Sequence, residues 1–261
     1  SSLLSIQVLE SIRSHTGQYP AYAVQKFYRV LAEGFVKNGV PVEVVSNPPA
    51  FASTDKFVKF ASDTENGVTY KYMTFINKSI FRHLSLFFNS FWTCFKFGHS
   101  KLEDKAIICD ILCYSTCMGA ILAAKLTGTK IVGLVTDMPW LVDEDGVISI
   151  KMRMLHGFQK WYIHKYSHYI FLTEQMNEPI NIKHRPYLVI EGFANIDMEK
   201  IDNLLTEKES PKQIMYAGFL QAKYGLKMLV DAFMSLKDLD AKLVIYGTGP
   251  YAKELTACTK K

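Results

Sequence analysis

The stretch LVIYGTGPYAKEL, residues 243 to 255, holds the residues whose types and spacing point most directly to chemistry. Gly247, Gly249 and Ala252 follow an apolar run and precede a helical pattern, which matches the dinucleotide-binding fingerprint in its alanine-ended form. Glycines at a strand end let backbone N–H groups approach a phosphate, and a helix N-terminus adds a favourable dipole. A dinucleotide turn normally follows the first strand of its domain and has an acidic partner about 20 positions later. Here the turn follows a second strand, and only a dozen residues come after Gly249. A nicotinamide-dependent oxidoreductase therefore rests on the glycine turn alone.

Other chemistry-bearing groups are sparser. Cys109, Cys113 and Cys117 recur at intervals of four, a spacing open to a zinc or iron–sulfur site. Within AIICDILCYSTCMGA they also read as small hydrophobes in a buried strand passing into a helix. Five cysteines, an odd number, make no disulfide framework in a chain of 261 residues and fit a reducing cytoplasm. The seven histidines are dispersed, and His156, His164 and His168 suit surface or hydrogen-bonded core positions rather than ligation.

Composition narrows the class. With 49% apolar and 21% charged residues the chain is expected to fold as a soluble protein rather than remain disordered. The formal charge of +5 is scattered rather than gathered into a run, so nucleic acid is not the first partner to propose. An anionic membrane face or a phosphorylated substrate fits as well. No uninterrupted apolar run reaches the roughly 18 residues of a membrane span, and the first residues lack a basic-then-apolar signal pattern.

The elements that must position these groups alternate between helix and strand. Val24, Phe27, Tyr28, Leu31 and Phe35 recur at helical spacing, and Gly39 ends the pattern before the strand-like PVEVVS, residues 41 to 46. KAIICDIL, MGAILAAKLTG and KIVGLVTD follow as strand, helix and strand, so residues 106 to 137 predict a βαβ crossover with parallel strands. HYIFLT (168 to 173) and YLVI (187 to 190) are further strand candidates. After Glu191 the chain turns polar, which predicts an N-terminal domain over 1–192 and a linker over 193–210. A second domain over 211–261 opens with the strand QIMYAG, continues with a helix whose Leu226, Leu229, Val230, Phe233 and Leu236 share one face, and adds the strand KLVIYG. A last helix is expected to begin near Pro250. Two parallel strands leave a sheet uncovered, so this domain is expected to be the opening of a longer one, and a first strand is expected ahead of residue 1.

YAGFLQAKYGLKMLVDAF followed by LVIYGTGPYAKEL resembles the start of the nucleotide-sugar domain of retaining glycosyltransferases with the GT-B architecture. GQYPAYAVQKFYRVLAEGFVKNGVPVEVVS, GLVTDMPW, FLTEQMNE and YLVIEGFANID stand in the order found in bacterial capsule and exopolysaccharide members, so the resemblance covers most of the chain. It implies an α/β fold of two Rossmann-like domains with parallel sheets, the second incomplete. The implied reaction moves a sugar, with retention, from a nucleotide-diphosphate sugar to a surface-glycan or lipid-linked acceptor, with no metal and no cofactor beyond that donor. A cytoplasmic protein is implied, with contact at the inner face of the membrane as a further expectation.

The resemblance also assigns residues. Gly218, Lys223, Gly247 and Gly249 would meet the donor diphosphate, Asp137 would be the catalytic carboxylate in the interdomain cleft, and Gly17, Gln18, Gln25 and Lys26 would contact acceptor or phosphate. Asp137 stands where relatives often have histidine, and a turn aspartate ahead of Met138-Pro139 is its plainer reading. Relatives commonly carry arginine and lysine where this chain has Phe219 and Tyr224. Their pair of glutamates separated by seven residues has spacing matches in Glu191/Glu199 and Glu199/Glu207, but both precede the domain that should hold it, and Glu254 alone follows Gly218. Asp143-Glu144-Asp145 has the D-x-D form of a metal–diphosphate ligand in the other large glycosyltransferase architecture. Followed by Gly146, it equally forms a solvated turn. A non-enzymatic glycan- or partner-binding role is the rival reading. Residues 80 to 101 and 151 to 166 mix aromatic with basic residues and suit either core helices or helices lying in a lipid interface.

Overall fold

A computed structural model describes residues 2–17, 22–50, 57–138, 150–193, 212–236 and 240–258. The chain divides into two compact units, Ser1–Asn195 and Ile196–Lys261. The linker expected over 193–210 falls, apart from Phe193, outside the described residues.

In the first unit, α1 (Ile6–Thr16) starts at Ser5, whose hydroxyl accepts the Val8 N–H, and stops at Gly17 in the left-handed conformation. α2 (Tyr22–Lys37) leads to β1 (Val42–Ser46). Next come β2 (Phe57–Val58), β3 (Asp63–Glu65), β4 (Val68–Tyr72) and β5 (Phe75–Ile76). β4 lies parallel to β1 in the register Val42 to Val68, and β3 turns back antiparallel on β4. β2 pairs antiparallel with β5.

The sequence reading assigned no strand between 57 and 76. The signal was present: Asn66-Gly67, with φ of 50° and 77°, is a hairpin dipeptide, and Val68, Tyr70 and Tyr72 alternate with polar residues. Burial of Val68 and Tyr70 against Val44 and Tyr28 fixes which face turns inward.

The second half of this unit is α3 (Ser79–Gly98), β6 (Ala106–Asp110), α4 (Tyr114–Thr127), β7 (Lys130–Val135), α5 (Ile150–Ile163), β8 (His168–Phe171), a short α6 (Asn177–Ile180) and β9 (Tyr187–Val189). β6, β7, β8 and β9 form one parallel sheet in that order, as the predicted crossover requires. Crossovers that advance one way across a sheet and are right-handed put their helices on one face, so α4 and α5 share a layer. Cys117, Ala120 and Ala124 of α4 and Tyr162 and Ile163 of α5 are buried in the same cluster as Cys109, Ile131, Val135 and Phe171 of the strands.

α3 lies along α4 at close range. A Cβ on Gly119 would run into the backbone of Phe87 and Phe91, and one on Gly98 into the side chain of Thr127. Ser90 of α3 donates to the Thr116 carbonyl of α4 at 2.6 Å, which fixes the register of the two helices.

The second unit holds β10 (Lys212–Ala217), α7 (Leu226–Ser235), β11 (Ala241–Tyr246) and α8 (Ala252–Cys258). β10 and β11 are parallel, in register from Lys212–Ala241 to Ala217–Tyr246. Leu220, Leu226, Val230 and Leu255 are its buried core, with Tyr216, Leu229, Leu243 and Ile245 packed around them. Leu236, expected on the core face, lies beyond the end of α7 and is exposed. The chain is thus an α/β protein with parallel sheets in both units.

Candidate functional site

Ligands of open parallel sheets bind at the carboxyl ends of the strands. β6 is an apolar run that ends in Asp110, and β7 is one that ends in Val135, followed by Thr136 and Asp137. Because Asp110 pairs with Leu134, the two ends fall on the same edge. Asp110 is buried, its carboxylate accepting the Leu112 N–H at 3.0 Å with the Cys113 thiol 3.7 Å away. The carboxylate therefore organises the turn from β6 into α4. Behind it lies the phenol of Tyr28 on α2, held far above its ordinary value by burial and by the Asp110 charge, with Thr136 acting in the opposite sense.

Asp137, the sequence choice for a catalytic carboxylate, is exposed on this edge. Partial desolvation raises its pKa above the ordinary 3.8, and the negative charge of Asp110 pushes the same way. Two carboxylates of unlike surroundings stand here: one buried and hydrogen-bonded, one open to solvent. His83 joins the same rim from α3. Its ring stacks on Tyr114 with centroids 5.3 Å apart, Nδ1 lies 2.8 Å from the Ser115 hydroxyl, and Nε2 lies 3.4 Å from the Tyr114 hydroxyl. The adjacent Arg82 lies 5.0 Å over the Phe75 ring, and burial lowers its pKa.

Sequence reasoning passed over Asp110, Tyr28 and His83. Asp110 was findable, since AIICD ends in aspartate as GLVTD does. Tyr28 read only as an apolar helix position; its hydroxyl acquires a role when the fold brings it against the Asp110 carboxylate.

The residues expected to meet an acceptor are dispersed in role. Gly17 is the left-handed cap of α1, and Lys26 is exposed on α2. Gln25 is buried, its carbonyl accepting the Leu4 N–H at 2.9 Å and its amide donating to the Ser2 carbonyl at 2.7 Å. Both ends of Gln25 therefore hold the N-terminal segment. Gln18 lies outside the described residues, as does Asp143-Glu144-Asp145.

In the second unit Gly218 and Gly247 end the paired strands β10 and β11. Gly218 donates to the Tyr246 carbonyl at 3.0 Å, and Leu220 donates to the Thr248 carbonyl at 2.9 Å. A Cβ on Gly247 would collide with the Gly218 carbonyl, and one on Gly249 with the Leu220 backbone. Gly247 and Gly249 are therefore glycine because two backbones meet there, whereas a Cβ on Gly218 would meet the Tyr216 hydroxyl. Lys223 is exposed, its ammonium 5.2 Å from the Tyr224 ring centre.

No protein-family model matches the chain, and no curated protein matches it. Among the described residues no group of three or more His, Cys, Asp or Glu side chains could hold a metal, and no helix is long and apolar enough to cross a membrane. Cys109 and Cys117 are buried and Cys113 half-buried, all three as free thiols. The Cys117 thiol donates to the Asp110 carbonyl at 2.9 Å. His164 and His168 are engaged with the Ile180 carbonyl and the Ser167 hydroxyl.

Proposed function

We propose that the protein is a retaining glycosyltransferase of the GT-B kind, moving a sugar from a nucleoside-diphosphate sugar to a glycan or lipid-linked acceptor on the cytoplasmic side of a membrane. The observation that carries this reading is the meeting of Gly218 and Gly247 at the carboxyl ends of two paired parallel strands. In open α/β sheets backbone N–H groups at strand ends of this kind hold a pyrophosphate, and Lys223 adds a positive charge nearby in sequence. The sugar C1–O bond breaks as the nucleoside diphosphate leaves with the electron pair, and the acceptor oxygen bonds to C1. The resemblance gives Asp137 the role of taking the acceptor's proton or steadying positive charge on the sugar ring.

The test is release of nucleoside diphosphate from uridine, guanosine and adenosine diphosphate sugars in the presence of short glycan and lipid-phosphate acceptors. The reading expects one donor to be consumed, with the product keeping the donor's anomeric configuration by NMR. Absence of turnover with every donor, together with absence of nucleotide binding, contradicts it.

A second reading is a binding protein without catalysis. It is favoured by Phe219 and Tyr224, 53% and 52% exposed, which offer flat rings for a sugar where relatives of the resembled family place cations. Glycan binding without nucleotide binding would select it.

A further inference from the structure

We propose that the face built by α3 and α5 docks on an anionic lipid bilayer. This inference stands on the helix faces alone and does not depend on the reaction proposed above.

α3 splits into two faces. Leu86 is buried, and Phe87, Ser90 and Phe91 meet α4, whereas Phe81, Leu84, Phe88 and Trp92 recur at helical spacing and are exposed. Trp92 leaves 55% of its surface open. α5 repeats the arrangement, with Tyr162 and Ile163 buried and Ile150, Met154 and Trp161 exposed on one stripe, Trp161 at 51%. The two helices are linked through the start of α4, where His83 of α3 stacks on Tyr114 and Tyr114 meets Phe158 of α5 with centroids 6.3 Å apart. α4 adds exposed Leu122 and Leu126 to this layer.

Charge identifies the occupant. The chain holds 25 acidic residues, yet α3, α4 and α5 contain none. Their charged side chains are basic, among them the exposed Lys96 and Arg153. Lys165, just beyond α5, lies 4.5 Å over the Trp161 ring, a cation held beside an exposed aromatic. A second copy of this face would set like charges against each other across a symmetric contact, which disfavours self-association. Aromatic and aliphatic side chains flanked by Lys and Arg match the boundary between acyl chains and anionic headgroups.

The test is flotation of the whole chain with phosphatidylcholine vesicles and with vesicles containing phosphatidylglycerol, at low and raised salt. Binding is expected to favour the anionic vesicles and to weaken as salt screens the surface. Arg153→Gln with Lys165→Gln is expected to lower the affinity about thirtyfold. Trp92→Ser with Trp161→Ser is expected to abolish it, with an unchanged cooperative melt and circular dichroism spectrum showing that the fold persists. Should the double serine variant unfold, the glutamine variant carries the test. Equal binding of the glutamine variant and the parent overturns the proposal, as does failure of the parent to float. Loss of the exposed stripes to self-association, read by sedimentation velocity, overturns it as well.

Discussion

Gly247 packs against the carbonyl oxygen of Gly218, so that the ends of β10 and β11 meet backbone to backbone. The obstruction to any side chain at 247 is main chain, which cannot rotate away. Gly247→Ala is expected to cost about 1–3 kcal/mol, the usual range for overpacking. Thermal denaturation followed by circular dichroism checks this, and an unchanged midpoint would mean that the turn opens freely.

The α3–α4 contact makes a paired prediction. Gly119→Ala pushes Phe87 and Phe91 away and is expected to destabilise by about 1–3 kcal/mol. Gly34→Ala, inside α2 where an added Cβ meets nothing within 4 Å, is expected to stabilise by about 0.5–1 kcal/mol. Urea midpoints moving in opposite directions bear this out; two losses would contradict the open space at Gly34.

Asp137 and Asp110 are coupled through charge. Carbon NMR titration of the Asp137 carboxyl is expected to give a midpoint above 3.8 that falls toward it in Asp110→Asn, because one of the two raising causes is removed. If Asp137 is the catalytic base, activity rises with pH through that midpoint, and Asp137→Asn lowers kcat by about 100-fold or more while donor affinity holds.

Alkaline pH should loosen the fold. Burial raises the Cys94 thiol from 9.0 to about 11 and the Cys113 thiol from 9.0 to about 12. Above pH 9 the unfolded chain gives up these protons while the folded one keeps them, so the stability they contribute is full below 9 and is lost as pH rises toward 11 and 12. The contribution of Cys94 to that loss is about 3 kcal/mol. Urea midpoints under reductant should fall from pH 8 to pH 10, less steeply in Cys94→Ala; a flat profile contradicts the burial of these thiols.

The βαβ core was legible because two short apolar runs, KAIICDIL and KIVGLVTD, flank the small-residue run MGAILAAKLTG. The strands between 57 and 76 are too short to hold a period for long, and the Asn66-Gly67 turn between them was the local cue. The glycine turns at 218 and 247 were legible as strand ends. Their mutual contact was not, because it joins residues far apart in the chain. Gln25 illustrates the opposite case: a polar residue on a helix suggests a ligand contact, and its burial against Ser2 and Leu4 gives both amide groups a partner within the protein. The aromatic helices were ambiguous because both faces are apolar; packing against α4 distinguishes the inner face from the outer.

Calorimetric titration of the chain with uridine, guanosine and adenosine diphosphates tests most directly whether the Gly218–Gly247 meeting point receives a pyrophosphate. The account predicts saturable binding of one of them, weakened at least about tenfold in Gly249→Ala, where an added Cβ meets the Leu220 backbone. Heats indistinguishable from dilution for all three, or equal affinity in the alanine variant, would contradict it.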